Sequence, residues 1–310
     1  MILSQWNLLK LARETFAPEV DRIAGETGEA MALASARKAL RKLSCQSTVL
    51  ESVRVPKAKG KGKLEIDLLV VSAYGVLALE VKHWGGNLNA QGQTWLQTRR
   101  DHDKSLKNPL PLMEEREAAL QTWLKQRGLV IPKSRIHSLL VLSNPNVQLG
   151  RKLSSLKSIV RLEDLEQQIV ARCDAPKKKF WQKRSKGSWD FSGLISLLGQ
   201  LPTWDELVLH GGRRYWGDIL GFKIEQQGKA ALQRGDVQFL KVKAPRSFWS
   251  LWRAPSMKFK DWDGNVSSVS FAPQAKLILR HAGQQRDEEI DLIHIDTIKL
   301  GWKNQRYYDH

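Results

Sequence analysis

LEIDLLVVSAYGVLALEVKHW, residues 64–84, decides how this chain is read. Two β-rich runs, 64–72 and 74–84, are joined through Ser72-Ala73-Tyr74-Gly75, which reads as a tight reversal. Side-chain direction repeats every two residues along a strand, so Glu65 and Asp67 share one face while Ile66 and Leu68 face the other way. On the second run Glu80 and Lys82 share a face, Val81 points oppositely, and Leu77 and Leu79 supply apolar alternation. Paired as a hairpin, the two runs bring Asp67 towards Glu80 and Lys82 near one end of the sheet. Charges on strands of such core character need an explanation, because burying them unpaired is expensive. A salt-bridged sheet face is the structural explanation, and a chemical site is the functional one.

Working outward, GETGEAMALASARKALRKL (25–43) has no Pro and recurring small and apolar positions, and reads mostly as a helix. STVLESVRV (47–55) is a first strand, and AKGKGK before the second is a flexible basic loop. Polar, Gly-containing sequence runs from Gly85 to about Asn108. A helix over 111–128 follows, with Pro near its start and Gly128 just past its end. IHSLLVLSN (136–144) reads as a buried strand and VRLEDLEQQIVARC (160–173) as a final helix. This order predicts an α/β unit, a mixed sheet flanked by helices, over residues 1–173. DAPKKKFWQKRSKGSWD (174–190) opens a basic, Trp-containing linker that extends to about 200. Residues 201–310 hold short β-type runs separated by turn signals, which predicts a small, mainly β second domain of unassigned role.

At 310 residues the chain exceeds one typical domain. Its 50 Lys and Arg against 32 Asp and Glu leave a net charge of +18, of which +14 lies in residues 1–190 and +4 in 191–310. That excess favours a polyanionic partner and counts against a small acidic molecule as the sole ligand. Cys45 and Cys173 are far apart in sequence and fit no metal-ligand spacing, so neither a zinc site nor a disulfide framework is expected, which suits a reducing cytoplasm. No run of 18 apolar residues predicts a membrane span. MILSQWNLLKLARETF (1–16) mixes charge into its apolar stretch and reads as a surface helix rather than a signal peptide. No repeat or coiled coil is present that would fix an oligomeric state.

The charged hairpin supports hydrolytic chemistry. Asp67 and Glu80 offer hard oxygen ligands for Mg²⁺, with Mn²⁺ as a substitute, and the Val81 carbonyl could add a third. Such a metal would polarise a phosphodiester, while Lys82 could orient water and neutralise phosphate charge. Glu26 and Glu29 are three apart on the first helix and share a face, so Glu29 could deliver a further carboxylate. Its competing role is that of an acid favoured by the helix dipole.

Gly25-Glu26-Thr27-Gly28-Glu29, then Glu65-Ile66-Asp67, then Glu80-Val81-Lys82 with Trp84 and Gly86, resemble the nuclease-related domain (NERD) family. The later Trp95 and Asn108-Pro109 resemble family positions too, and the resemblance covers about residues 25–145. It implies a restriction-endonuclease-like fold, the PD-(D/E)XK type, and metal-dependent nuclease activity, with Glu29, Asp67, Glu80 and Lys82 as catalytic residues. The family often carries a Gln shortly after Asn-Pro. This chain reads Asn108-Pro109-Leu110-Pro111-Leu112-Met113 instead, with Glu114 and Glu115 as the nearest polar substitutes.

Basic residues supply sequence-independent grip on a phosphate backbone. The candidates are Lys57, Lys59, Lys61 and Lys63, then Arg99 and Arg100, then Lys177, Lys178 and Lys179, then Arg213 and Arg214. Trp181 and Trp189 could stack on exposed bases. His83 reads as a strand-end residue with substrate contact as its second role, and Asp287, Glu288, Glu289 and Asp291 as a solvated acidic turn. The leading expectation is a Mg²⁺-dependent nuclease acting on DNA ahead of RNA. The competing expectations are a catalytically altered nucleic-acid-binding module and a protein-interaction scaffold centred on the second domain.

Overall fold

Strands β1 (Ser47–Pro56), β2 (Lys63–Ser72) and β3 (Val76–Lys82) run antiparallel in chain order. The structure is a computed structural model describing residues 9–59, 62–100, 102–174, 190–223, 239–243, 255–260, 265–282, 284 and 286–301. Lys61, Lys177, Lys178, Lys179, Trp181 and Trp189 lie outside the described residues. The reversal between β2 and β3 is closed by Ser72, whose Oγ accepts the backbone N–H of Tyr74 at 3.1 Å and of Gly75 at 2.9 Å.

The chain divides into two compact units, Asp21–Leu201 and Pro202–Asp309 together with Met1–Val20. In the first, β3 pairs in parallel with β7 (Ile136–Leu142), and β7 in parallel with β9 (Ile159–Arg161), giving the order β1-β2-β3-β7-β9. Helices α1 (Val20–Leu40) and α3 (Leu162–Cys173) cover one face, and α2 (Leu110–Gln126) and α4 (Phe191–Leu198) the other. The mixed sheet flanked by helices is the architecture the element order predicts. Ala32, Ala36 and Ala39 are fully buried, and their small side chains let α1 lie close to Leu68, Val70, Leu77 and Leu79. On the opposite face Ala119, Leu120, Trp123 and Leu124 of α2 pack on Leu69, Val71, Val76 and Ala78.

Helix α4 falls within the stretch read from sequence as linker. Leu194 and Leu198 are fully buried in the α2-side core, contributing about 1.5–3 kcal/mol each. That holds in place a helix too short to persist alone. The amino-terminal segment also departs from expectation, since it groups with the carboxy-terminal unit. The reason is a two-bond tie, in which Phe16 N–H donates to the His210 carbonyl at 2.7 Å and Arg213 N–H to the Phe16 carbonyl at 2.9 Å.

Residues 86–107, expected as irregular polar sequence, form a sheet of their own. Strands β4 (Gly86–Gln91), β5 (Thr94–Thr98) and β6 (Asp103–Lys107) make an antiparallel meander, and β8 (Val147–Leu149) adds to β4 in parallel. Gly92, at φ +58°, supplies the turn between β4 and β5. Leu88 and Trp95 anchor this wing against Leu140, Leu142 and Met113.

Among the described residues the second unit forms an eight-stranded antiparallel sheet, in keeping with its short β-type runs. Its strands are β10 (Asp205–Leu209), β11 (Arg214–Lys223), β12 (Phe239–Lys243), β13 (Ser256–Lys260), β14 (Val266–Ser270), β15 (Lys276–His281), β16 (Asp287–Asp291) and β17 (Ile295–Lys299). The buried Asp205 carboxylate accepts the N–H groups of Ile219 at 2.9 Å and Gly301 at 2.7 Å. Among the described residues, no helix is long and apolar enough to cross a membrane.

Candidate active site

Side-chain alternation along β2 breaks at Asp67. Ile66 belongs to the α2-side core and Leu68 to the α1-side core, so these two do not share a face as simple alternation requires. Across the sheet on β1, Ser52 takes φ +49°, a left-handed conformation that a non-glycine residue rarely adopts. The β2–β3 ladder stops at the pair Leu68–Leu79. Two residues further along β3, the Val81 N–H donates to the Asp67 carboxylate at 2.8 Å. The two central strands thus separate at the point where the charged residues stand.

Lys82 Nζ pairs with Glu80 Oε1 at 2.7 Å. The other oxygen of Glu80 is held by Arg116, which reaches in from α2. Glu80 and Arg116 are both buried, whereas Asp67 and Lys82 are half-buried. Burial pushes the Asp67 carboxyl up to about 8, with Glu80 and Glu29 adding repulsion that Lys82 and the Val81 N–H only partly offset. Desolvation likewise raises the pKa of Glu29, helped by Glu65, Glu80 and Glu26 and opposed by Lys82. For Lys82 burial works downward, but Glu80 and Asp67 outweigh it and the pKa is raised. Lys82 therefore remains an ammonium at neutral pH, able to orient and neutralise but not to act as a base.

These groups adjoin a cleft of about 1260 Å³. Glu29, Val81, Lys82, His83 and Trp84 line one part of it, and Arg99, Arg100 and Lys104 of the wing another. His83 Nδ1 lies 3.0 Å from the Ser143 hydroxyl, which fixes the ring at the end of β3. Gly28 faces the same hydroxyl, and a Cβ there would collide with it.

Residues 24–143 match the nuclease-related domain family. No curated protein and no solved structure matches the chain. The match to this nuclease-related domain takes in Glu29, Asp67, Glu80 and Lys82, strands β4, β5 and β6 of the wing, and α2. It stops just after β7, so β9, α3 and α4 complete the sheet's cover from beyond it.

The donor chemistry of the nuclease-related domain suits a hard divalent cation. Glu29 raises the Asp67 pKa and Glu80 raises both, and Lys82 offsets this negative charge only in part, which leaves the carboxylates short of a counter-cation. The arrangement is less complete than the sequence predicts. Among the described residues, no group of three or more His, Cys, Asp or Glu side chains is placed to hold a metal ion. Glu80 has both oxygens engaged by Lys82 and Arg116.

Other predicted contacts sit elsewhere. Lys57, Lys59 and Lys63 flank the β1–β2 turn and do not line the cleft, and Lys57 pairs with Glu115 at 3.6 Å. In the second unit Arg213 donates to the Ala17 carbonyl at 3.0 Å and stacks over Phe16, while Arg214 pairs with Glu206 at 3.1 Å. The acidic run at 287–289 pairs across strands with Arg280, His281, Lys223 and Lys276. Arg116 was missed from sequence, although a signal existed. It falls on the buried stripe Met113, Ala119, Leu120, Trp123 at helical spacing, where a charged residue requires a partner.

Proposed function

We propose that the nuclease-related domain, with a restriction-endonuclease-like core, is a metal-dependent phosphodiesterase acting on nucleic acid, DNA ahead of RNA. The observation that carries this reading is the Glu80–Lys82 pair set opposite Asp67 where β2 and β3 part, beside a cleft walled by basic residues. Asp67, Glu80, Glu29 and the Val81 carbonyl are the groups that would hold Mg²⁺ or Mn²⁺. Such an ion, when bound, supplies polarisation of the phosphodiester and charge neutralisation. The chain's own residues do the rest. Lys82, kept cationic by Glu80 and Asp67, draws in the phosphate and orients water. Arg116 holds Glu80 from behind. In the metal-free protein burial holds the Asp67 carboxyl up at about 8, so an incoming cation has to displace its proton.

Full-length protein with Mg²⁺ or Mn²⁺ is expected to cleave DNA, and Asp67→Ala or Lys82→Ala to abolish cleavage. Equal cleavage by both variants rejects this site. A second reading, a binding module that retains the fold without turnover, is favoured by the double engagement of Glu80. It is supported if nucleic acid binds in a salt-sensitive manner while no metal elicits cleavage. The second unit is the candidate surface for a protein partner, tested by removing residues 202–310 and measuring whether cleavage persists.

A further inference from the structure

We infer that the cleft takes a single nucleic-acid strand, with the β5–β6 turn of the wing as its backbone grip and a row of amides as its reader of bases and sugars. This rests on the nucleic-acid reading above and names the form of the substrate.

Some of this protein's surface cations are committed to carboxylates. Arg37 pairs with Glu51 at 3.0 Å, Lys38 and Lys42 with Glu166, Arg214 with Glu206, and Arg280 with Asp287. Other exposed cations, among them Arg41, Lys125 and Lys152, have no such partner among the described residues, and Arg99, Arg100 and Lys104 are set apart by their place in the cleft. All three are exposed, all line the cleft, and among the described residues none forms an ion pair with a carboxylate. Arg99 and Arg100 follow β5 and Lys104 lies on β6, so three exposed cations stand at one end of the wing, where a phosphate backbone can meet them. They share the cleft with Lys82, so a backbone lying along them also reaches the Glu80–Lys82 pair.

The rest of the lining is the second observation. Asn87, Asn144, Asn146 and Gln148 contribute neutral amides, each both donor and acceptor. An amide competes poorly for phosphate but matches the edges of unpaired bases and sugar hydroxyls. In a duplex those Watson–Crick edges are already paired, whereas an unpaired strand presents them to the cleft. Trp84, half-buried at the cleft and packed edge-on against Trp95 at 5.9 Å, offers an aromatic face of the kind on which unpaired bases stack.

The test is fluorescence anisotropy on the full chain in EDTA, so that no cleavage intervenes. Labelled 12-nucleotide single-stranded DNA, single-stranded RNA and blunt duplex DNA of one sequence are compared across salt concentration. Either single strand is expected to bind at least tenfold more tightly than duplex, and the two single-stranded probes distinguish sugar preference. Replacing Arg99, Arg100 and Lys104 together by Ala is expected to weaken single-strand binding more than tenfold and to flatten the log–log salt slope by about 2. These side chains are exposed, so the fold is expected to survive, which circular dichroism checks. Asn146→Ala with Gln148→Ala is expected to reduce the single-strand preference and leave the salt slope unchanged. Duplex bound as tightly as single strands, or a triple variant with unchanged affinity, overturns the inference. Asp67-dependent cleavage confined to duplex defeats this inference and leaves the nuclease reading standing. Single-strand binding without metal-dependent cleavage does the reverse.

Discussion

The Asp67 carboxylate accepts the Val81 N–H at 2.8 Å, just beyond the end of the β2–β3 ladder. One side chain thereby does two things, accepting a backbone N–H and placing a carboxyl beside Glu80 and Lys82. Asp67→Asn keeps an acceptor for Val81 and removes the charge, so it separates these roles. The folded-state pKa of about 8 lies above the ordinary 3.8. The folded protein therefore holds this proton more tightly than the unfolded chain does, and metal-free stability falls as pH rises between those values. Chemical denaturation in EDTA is expected to show little difference between wild type and Asp67→Asn near pH 4. The variant then becomes more stable by on the order of a few kcal/mol towards pH 8. A gap that stays flat across this range contradicts the assignment.

The same protonation governs metal uptake. A carboxyl must lose its proton before it ligates a cation. Mn²⁺ is therefore expected to raise the melting temperature more at pH 8 than at pH 6, and to have little effect on Asp67→Asn. Differential scanning calorimetry at fixed free Mn²⁺ reads both.

Arg116 and Glu80 form a buried pair, and removing Arg116 leaves the buried Glu80 with the half-exposed Lys82 as its counter-charge. Arg116→Met is expected to cost about 3–5 kcal/mol in urea unfolding. Combining it with Glu80→Gln should recover part of that loss, giving a coupling energy of about 1–3 kcal/mol. Simple additivity would show that the two side chains act independently.

Gly28 has no room for a side chain because the Ser143 hydroxyl stands where its Cβ would be. Gly28→Ala is expected to destabilise by about 1–3 kcal/mol. Ser143→Ala in the same chain removes the obstructing oxygen and should restore most of that stability. If the double variant is no more stable than Gly28→Ala, the obstruction lies elsewhere.

Much of the central sheet was legible because its strands are buried on both faces or alternate strongly. The run 64–84 carried its own turn, and the charges at 67, 80 and 82 stood out against it. The wing was not legible, because β4, β5 and β6 bury only isolated residues and leave most others exposed or half-exposed, so no apolar periodicity marks them. Helix α4 was hidden behind a basic run whose composition dominated the reading. Arg116 carries no visible partner in the sequence, because Glu80 stands 36 residues away. The break in alternation at Asp67 has no local sequence signal, since it depends on Ser52 in the neighbouring strand. Cys45 and Cys173, distant in sequence, are neighbours in space, with the Cys45 thiol 3.4 Å from the Cys173 carbonyl.

The Ser72 hydroxyl donates to the Cys173 carbonyl at 2.6 Å, across 101 residues of chain. Gly75 beside it lies against the Arg172 carbonyl so closely that no side chain fits. On the ribosome, the hairpin that bears Asp67, Glu80 and Lys82 emerges well before the helix end on which it seats. A nascent chain released at residue 143 would carry all four charged residues of the site, yet leave β7 as an open sheet edge. It would also lack the leucines of α4 that close the opposite face. Such an edge invites pairing between chains. Vectorial synthesis thus leaves the sheet of this unit without its last strand and helices until translation has passed Leu198.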